Sequence, residues 1–131
     1  MTLEPTHTCF DDALDWIGAM VKANRTKLDD WRLIHAVCVF EGERYAHAWC
    51  ERDGEFVMSR YVIDGKPEYV ETDRKSHYEI FKVEMVRSYT VRQATDLNFY
   101  TGHYGPWDQD IRRYCNSGKR VFGATKIEVT S

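Results

Sequence analysis

The stretch from Arg32 to Ile63 limits the fold more than any other part of the chain. It holds three extended runs, Arg32 to Phe40, Tyr45 to Glu51 and Glu55 to Ile63, rich in β-branched and aromatic residues. They are separated by Glu41-Gly42-Glu43-Arg44 and Arg52-Asp53-Gly54. Connections this short join only antiparallel neighbours, because a parallel pair needs a long crossover. A three-stranded antiparallel meander, closed at Asp64-Gly65-Lys66-Pro67, is therefore the expected centre of the molecule. A sheet needs a cover for its apolar face. Upstream, Ala13, Leu14, Ile17, Met20 and Val21 recur at helical spacing, Thr8 and Asp11 make a capping-box-like start, and Lys22 and Arg25 suit the C-terminal end of a helix dipole. This predicts a helix from about Cys9 to about Asn24.

The second half is more mixed. Ser76 with Glu79 can cap a short helix through Phe81, and Thr90 with Gln93 can cap another over Val91 to Tyr100, stopped by Gly102. Val83 to Tyr89 reads as a strand or an extended connection. Asp108 to Cys115 reads as a last helical stretch, and Lys126-Ile127-Glu128-Val129 as a closing strand. With 131 residues, 43% of them apolar, and no repeat or Pro/Gly/Ser-rich linker, the chain reads as a single domain, 1–131, of the α+β class.

Charge narrows the partners. Lys and Arg number 18 against 21 Asp and Glu, and the basic positions Arg87, Arg92, Arg112, Arg113, Lys119 and Arg120 are dispersed among acids. Nucleic-acid binding, which draws most of its affinity from clustered cations on phosphates, is not expected. No apolar stretch approaches the roughly 18 residues of a membrane span, and the start Met1-Thr2-Leu3-Glu4-Pro5 is unlike an export signal. A cytoplasmic protein without membrane attachment is expected, and with it four reduced cysteines, Cys9, Cys38, Cys50 and Cys115.

Chemistry has three candidate places. The first is Cys9 with His47. A thiol in the first turn of a helix faces the positive end of the dipole, which favours the thiolate; Asp11 and Asp12 oppose it, so an imidazolium partner is required. With a four-residue loop at Glu41 to Arg44, Cys38 faces His47. One sheet face then carries Phe40, Cys38, Ala36, Tyr45, His47, Trp49 and Glu51, and the other carries Leu33, His35, Val37, Val39, Ala46, Ala48 and Cys50. If the first helix covers the His47 face, Cys9 can approach the imidazole. A Cys38–His47 pair within the hairpin is an alternative, without a helix dipole to activate the sulfur. The second place is the two His-x-x-Cys pairs, His35/Cys38 and His47/Cys50, whose composition suits zinc. Their division between opposite faces argues against a metal, and no cofactor is called for. The third is the loop Asn98 to Asp108, whose glycines, proline and aromatics could wall a substrate cleft with His103 and Trp107 at its rim.

Cys9-Phe10-Asp11-Asp12-Ala13-Leu14 at a helix start, the strand Leu33-Ile34-His35-Ala36-Val37, and then Tyr45-Ala46-His47-Ala48-Trp49-Cys50-Glu51-Arg52-Asp53-Gly54 resemble small papain-like and transglutaminase-like cysteine proteins over residues 8 to 60. The resemblance implies a papain-like or NlpC-like core, with Cys9 as nucleophile, His47 as general base and Trp49 packed beside the substrate. It implies a cysteine hydrolase or acyltransferase acting on an amide, peptide or isopeptide bond in a protein or peptide substrate, and suits a phage or mobile-element accessory protein. The thiolate would attack the carbonyl, with backbone amides at the helix start holding the oxyanion. Family members carry an Asp or Asn on the following strand to orient the histidine. Here that place reads Met58-Ser59-Arg60, leaving Ser59, Asp64 or Glu51 for the part. That departure supports a different expectation: an inactive member of the fold serving as a protein-interaction module.

Overall fold

The computed structural model describes residues 2–5, 8–24, 26–115 and 127–128. In chain order the elements are β1 (Thr2–Pro5), α1 (Cys9–Lys22), a 3-10 turn (Leu28–Asp30), β2 (Trp31–Phe40), β3 (Glu43–Arg52), β4 (Phe56–Ile63), β5 (Lys66–Asp73), α2 (Arg74–Phe81), β6 (Met85–Thr90), α3 (Val91–Thr101), α4 (Gln109–Arg112) and β7 (Ile127–Glu128). The fold is α+β. Strands β6-β2-β3-β4-β5 run antiparallel in that order, and β1 joins β4 and pairs in turn with β7.

The β2–β3 hairpin is tighter than the sequence suggests. Glu41 and Gly42 both have positive φ, 50° and 80°, so they form a two-residue turn whose twist matches the strands. Pairing moves by two residues from the expected register: Cys38 faces Tyr45 and Ala36 faces His47. A two-residue shift leaves every side chain on its own face, so the two face sets survive the correction.

Other elements also depart from expectation. Helix α1 ends at Lys22, and Thr8 caps no backbone N–H, its hydroxyl instead donating to Asp12 Oδ2 at 3.0 Å. The meander continues past Asp64-Gly65 into a fourth strand, β5, where Pro67 is tolerated on the sheet edge. Helix α2 is capped three residues earlier than expected: Asp73 accepts the Ser76 N–H at 2.9 Å. The Thr90/Gln93 capping box forms as read, and α3 ends at Gly102 with φ 76°. Helix α4 is one turn capped by Asp108. Of the expected closing strand, Ile127–Glu128 is seen as β7, and its flanking residues lie outside the described ones.

The sheet separates two cores. On one face α1 packs Phe10, Ala13, Leu14 and Ile17 against Leu33, Val37, Ala46, Ala48 and Cys50, with Val91, Ala94 and Ile111 closing the layer. On the other, α2 brings Phe81 over Ile34, Ala36, Cys38, Tyr45, Trp49, Val57 and Tyr61. Helix α1 therefore covers the face opposite His47, contrary to the arrangement the dyad expectation needed. No helix among the described residues is long and apolar enough to cross a membrane.

Candidate functional site

Strand β4 has β5 along the whole of one edge, while its other edge is shared between β3 (at Phe56, Val57 and Met58) and β1 (at Tyr61 and Val62). Beyond Cys50, β3 and β4 are therefore split. The start of α1 fills this seam. The sulfur of Cys9 takes the backbone N–H of Ala48 and lies against that of its neighbour Phe10, while the N–H of Ala46 donates to Tyr114 O at 3.1 Å. The buried Ala46 and Ala48, whose amides β4 leaves unpaired, thus both find acceptors, as buried amides must.

Cys9 is thereby one residue along β3 from His47, and the two do not form a dyad. Among the described residues no hydrogen bond joins them, and His47 Nε2 has no partner. Cys9 is 8% exposed and His47 1%. Burial pushes the Cys9 thiol up to about 12, with Asp12 adding to the rise and the Ala48 N–H only partly offsetting it. Burial likewise pulls His47 down to about 4. The dipole at the helix start favours the thiolate, but here loss of solvent outweighs it and no imidazolium partner is present to compensate. Both groups are neutral at pH 7.

The imidazole of His47 faces α2. It stacks on His77 with ring centroids 6.0 Å apart and packs against Trp49 and Phe81 at 5.4 and 5.3 Å. Tyr61 Oη lies 3.4 Å from His77 Nδ1. Burial, reinforced by His47, holds His77 well below the ordinary range. Ser59 is buried on this same side of β4, within the layer that holds His47. Asp64 is exposed at the β4–β5 turn with φ 50°, where it forms no part of this layer. Glu51 does not orient His47 either. Its carboxylate, 7% exposed, accepts Trp49 Nε1 at 2.7 Å, Tyr78 Oη at 2.5 Å and Arg74 Nε at 3.0 Å. It ties α2 to the sheet.

The third expected element lies on the α1 side. Trp107 donates from Nε1 to Thr101 Oγ1 and the His103 carbonyl at 3.2 and 3.3 Å, and His103 Nδ1 accepts the Gly105 N–H at 3.1 Å. These bonds fold the loop on itself. Tyr104 Oη donates to Asp15 at 2.9 Å, and the Trp107 ring lies 5.0 Å from His35. Gly105 is required here, since a Cβ would come within 2.6 Å of His35 Cε1. His35 is fully buried among Phe10, Tyr89 and Trp107. His103 and Trp107 thus seal a histidine and wall no cleft with Cys9 and His47. The two His-x-x-Cys pairs are divided as read, with Cys38 and His47 toward α2 and His35 and Cys50 toward α1. Cys50 Sγ donates to Ala13 O at 3.1 Å. Among the described residues no three ligating side chains gather for a metal.

The open space lies elsewhere. A groove of about 590 Å³ runs between the β3–β4 turn and α2, lined by Gly54, Glu55, Asp73, Arg74, Lys75, Tyr78 and Glu79. It adjoins at Gly54 a hollow of about 340 Å³ lined by Asp29, Asp30, Arg32, Ile34, Glu51, Asp53 and Ser88. The guanidinium of Arg74 sits 4.1 Å over the Tyr78 ring. The sequence reading overlooked Glu51 as an anchor, along with Arg74 and Tyr78. The available signal was Glu51 itself, an ionisable residue on the same alternation as Tyr45, His47 and Trp49. No family model matches the chain, and no curated protein or solved structure matches it either.

Proposed function

We propose that the chain is a catalytically silent relative of the papain-like core, working as a protein-interaction module rather than as a cysteine hydrolase. One observation carries this reading: the thiol and imidazole that the motif supplies are buried, neutral and without a hydrogen bond to each other. Nucleophilic attack needs a thiolate that a substrate carbonyl can reach, and general-base catalysis needs an imidazole that can take its proton. The start of α1 in a split sheet supports the papain-like part of the reading, because it seats a helix-start cysteine beside a His-Ala-Trp strand. The groove along α2 supports the binding part. Its volume falls within the range that holds a few side chains of a ligand, and the buried Glu51 fixes Arg74 and Tyr78 on its wall.

A second reading keeps the enzyme, with the seam opening to admit substrate. Two backbone N–H groups directed at the Cys9 sulfur favour it, since such donors stabilise a thiolate or an oxyanion. Iodoacetamide alkylation of the native protein across pH separates the two. The silent module predicts that Cys9 reacts far more slowly than Cys115 and gains rate only above the ordinary thiol range of about 8.5. A Cys9 thiolate formed below that range, lost in His47→Gln while the fold persists by circular dichroism, overturns the proposal in favour of the enzyme.

A further inference from the structure

The same seam holds a second cysteine. Ala46 and Ala48 present their N–H groups along one edge of β3, two residues and so roughly 6.8 Å apart. Their acceptors are Tyr114 O and Cys9 Sγ. The residue after Tyr114 is Cys115, so its backbone begins at a carbonyl about two strand residues, roughly 6.8 Å, along β3 from the Cys9 sulfur. A disulfide joins Cα atoms about 4.4 to 6.8 Å apart, so the bridge needs the two cysteines to close on each other from this neighbouring placement. The two thiols are close enough to influence each other electrostatically. Cys9, Cys38 and Cys50 are free and buried, whereas Cys115 is free and exposed. A reagent in solution therefore meets Cys115 first; partial burial raises its thiol above the ordinary value, and the guanidinium of Arg112 offsets only part of that rise.

We propose that Cys9 and Cys115 are the two halves of an intrachain disulfide formed by exchange with a low-molecular-weight disulfide, because the seam between β3 and β4 seats them side by side. In the first step the Cys115 thiol releases its proton, and its sulfur attacks one sulfur of glutathione disulfide. The reagent's S–S bond breaks, and the departing glutathione thiolate takes up a proton. In the second step the Cys9 thiol releases its proton and its sulfur attacks the Cys115 sulfur of the mixed disulfide, expelling the second glutathione, which is protonated in turn. Two cysteine thiols are oxidised, one glutathione disulfide is reduced, and two glutathione thiols are released. The buried, protonated state of Cys9 makes the second step the slow one. The bond would clamp the start of α1 to the segment just after α4 and occupy the thiol that the Cys9–His47 enzyme reading uses.

Glutathione disulfide added to the folded, fully reduced protein tests this, with the remaining thiols then blocked under denaturing conditions. The expected product has lost two alkylatable thiols and the mass of two hydrogens. Its digest yields one linked pair joining the peptides of Cys9 and Cys115. Cys115→Ser abolishes the product, and Cys38→Ala, which leaves the seam intact, retains it. Two results overturn the proposal: a stable glutathione adduct on Cys115 with Cys9 still alkylatable after unfolding, or a bridge from Cys9 to Cys38, which also senses Cys9 electrostatically. Treatment of the urea-unfolded chain serves as the reference. If it gives the same mixture of pairings as the folded protein, the seam confers no selectivity and the proposal fails.

Discussion

The two faces of strand β3 are built to opposite rules. Toward α1 it presents Ala46, Ala48 and Cys50; toward α2 it presents Tyr45, His47, Trp49 and Glu51. Small residues let the long helix, Cys9–Lys22, lie close to the sheet. Its Phe10, Leu14 and Ile17 then fill the layer, and the Ala13 carbonyl comes near enough to accept the Cys50 thiol. The short helix Arg74–Phe81 has fewer side chains to offer, so β3 itself supplies the bulk on that side. Large side chains that carry polar atoms must find partners when buried, and this is why the Glu51 carboxylate with its three donors sits beneath α2. Over β3 the α1 layer meets only small, apolar side chains. The α2 layer is thick, aromatic and polar.

Exchanging the two rules at one point should do the most damage. The double variant Ala48→Trp, Trp49→Ala keeps the composition and inverts the pattern. Emptying the Trp49 site costs about 3 to 5 kcal/mol, and forcing an indole between β3 and α1 adds about 1 to 3 kcal/mol or more. The sum approaches the whole stability of a typical domain of this size, about 5 to 15 kcal/mol. The swap should abolish the cooperative urea transition followed by circular dichroism. A variant that unfolds cooperatively near the parent midpoint would mean that residue size does not distinguish the faces.

The faces also differ in what acid does to them. Burial holds His47 down at about 4 and His35 at about 3, and holds His77 well below its ordinary value. Each is neutral when folded and takes a proton when unfolded below about 6.5. The unfolded state therefore binds more protons, and stability rises with pH through this window. It should be complete above about pH 6.5 and fall away as pH drops toward 4 and 3. At about 1.4 kcal/mol per unit of pKa difference, His47 alone accounts for a loss on the order of 3 kcal/mol. Two of the three histidines lie under α2. The urea midpoint measured from pH 7.5 to 4.5 should consequently flatten more in His47→Phe/His77→Phe than in His35→Phe. If all three variants keep the parental slope, carboxylates carry the acid sensitivity and the histidines do not.

Much of this arrangement is legible in the chain, and what is not has physical causes. A period of two states which residues share a face, so the split of His35 and Cys50 from Cys38 and His47 could be read before the register was known. The same period is silent on which layer lies above each face. That choice followed from size, and the run Ala46, Ala48, Cys50 was the usable signal for the helix side. Strand β5 was hidden because Lys66-Pro67 reads as a terminator, whereas edge strands tolerate both charge and proline. Helix α2 takes Asp73 as its cap in place of the expected Ser76, whose N–H becomes the donor to it. What opposes the Cys9–His47 expectation is desolvation, which depends on the packing of the seam and leaves no mark on motif spacing.

The smallest expected effect concerns the turn that holds the two faces in register. Glu41 has φ 50° and Gly42 has φ 80°; a glutamate pays a steric cost in this region that glycine does not. Asparagine tolerates positive φ better than glutamate, and Asn-Gly is the favoured pair for a two-residue hairpin turn with both φ angles positive. Glu41 is exposed at the hairpin tip, so the substitution empties no buried site. Glu41→Asn should accordingly stabilise the protein by about 0.5 kcal/mol, on the order of the gains found when a residue is matched to its backbone conformation. The readout is a small rise in urea midpoint with an unchanged denaturant slope, because neither face is altered. A fall in midpoint would mean that the two-residue turn does not set the register, and that the pairing of Cys38 with Tyr45 is imposed by the two cores instead.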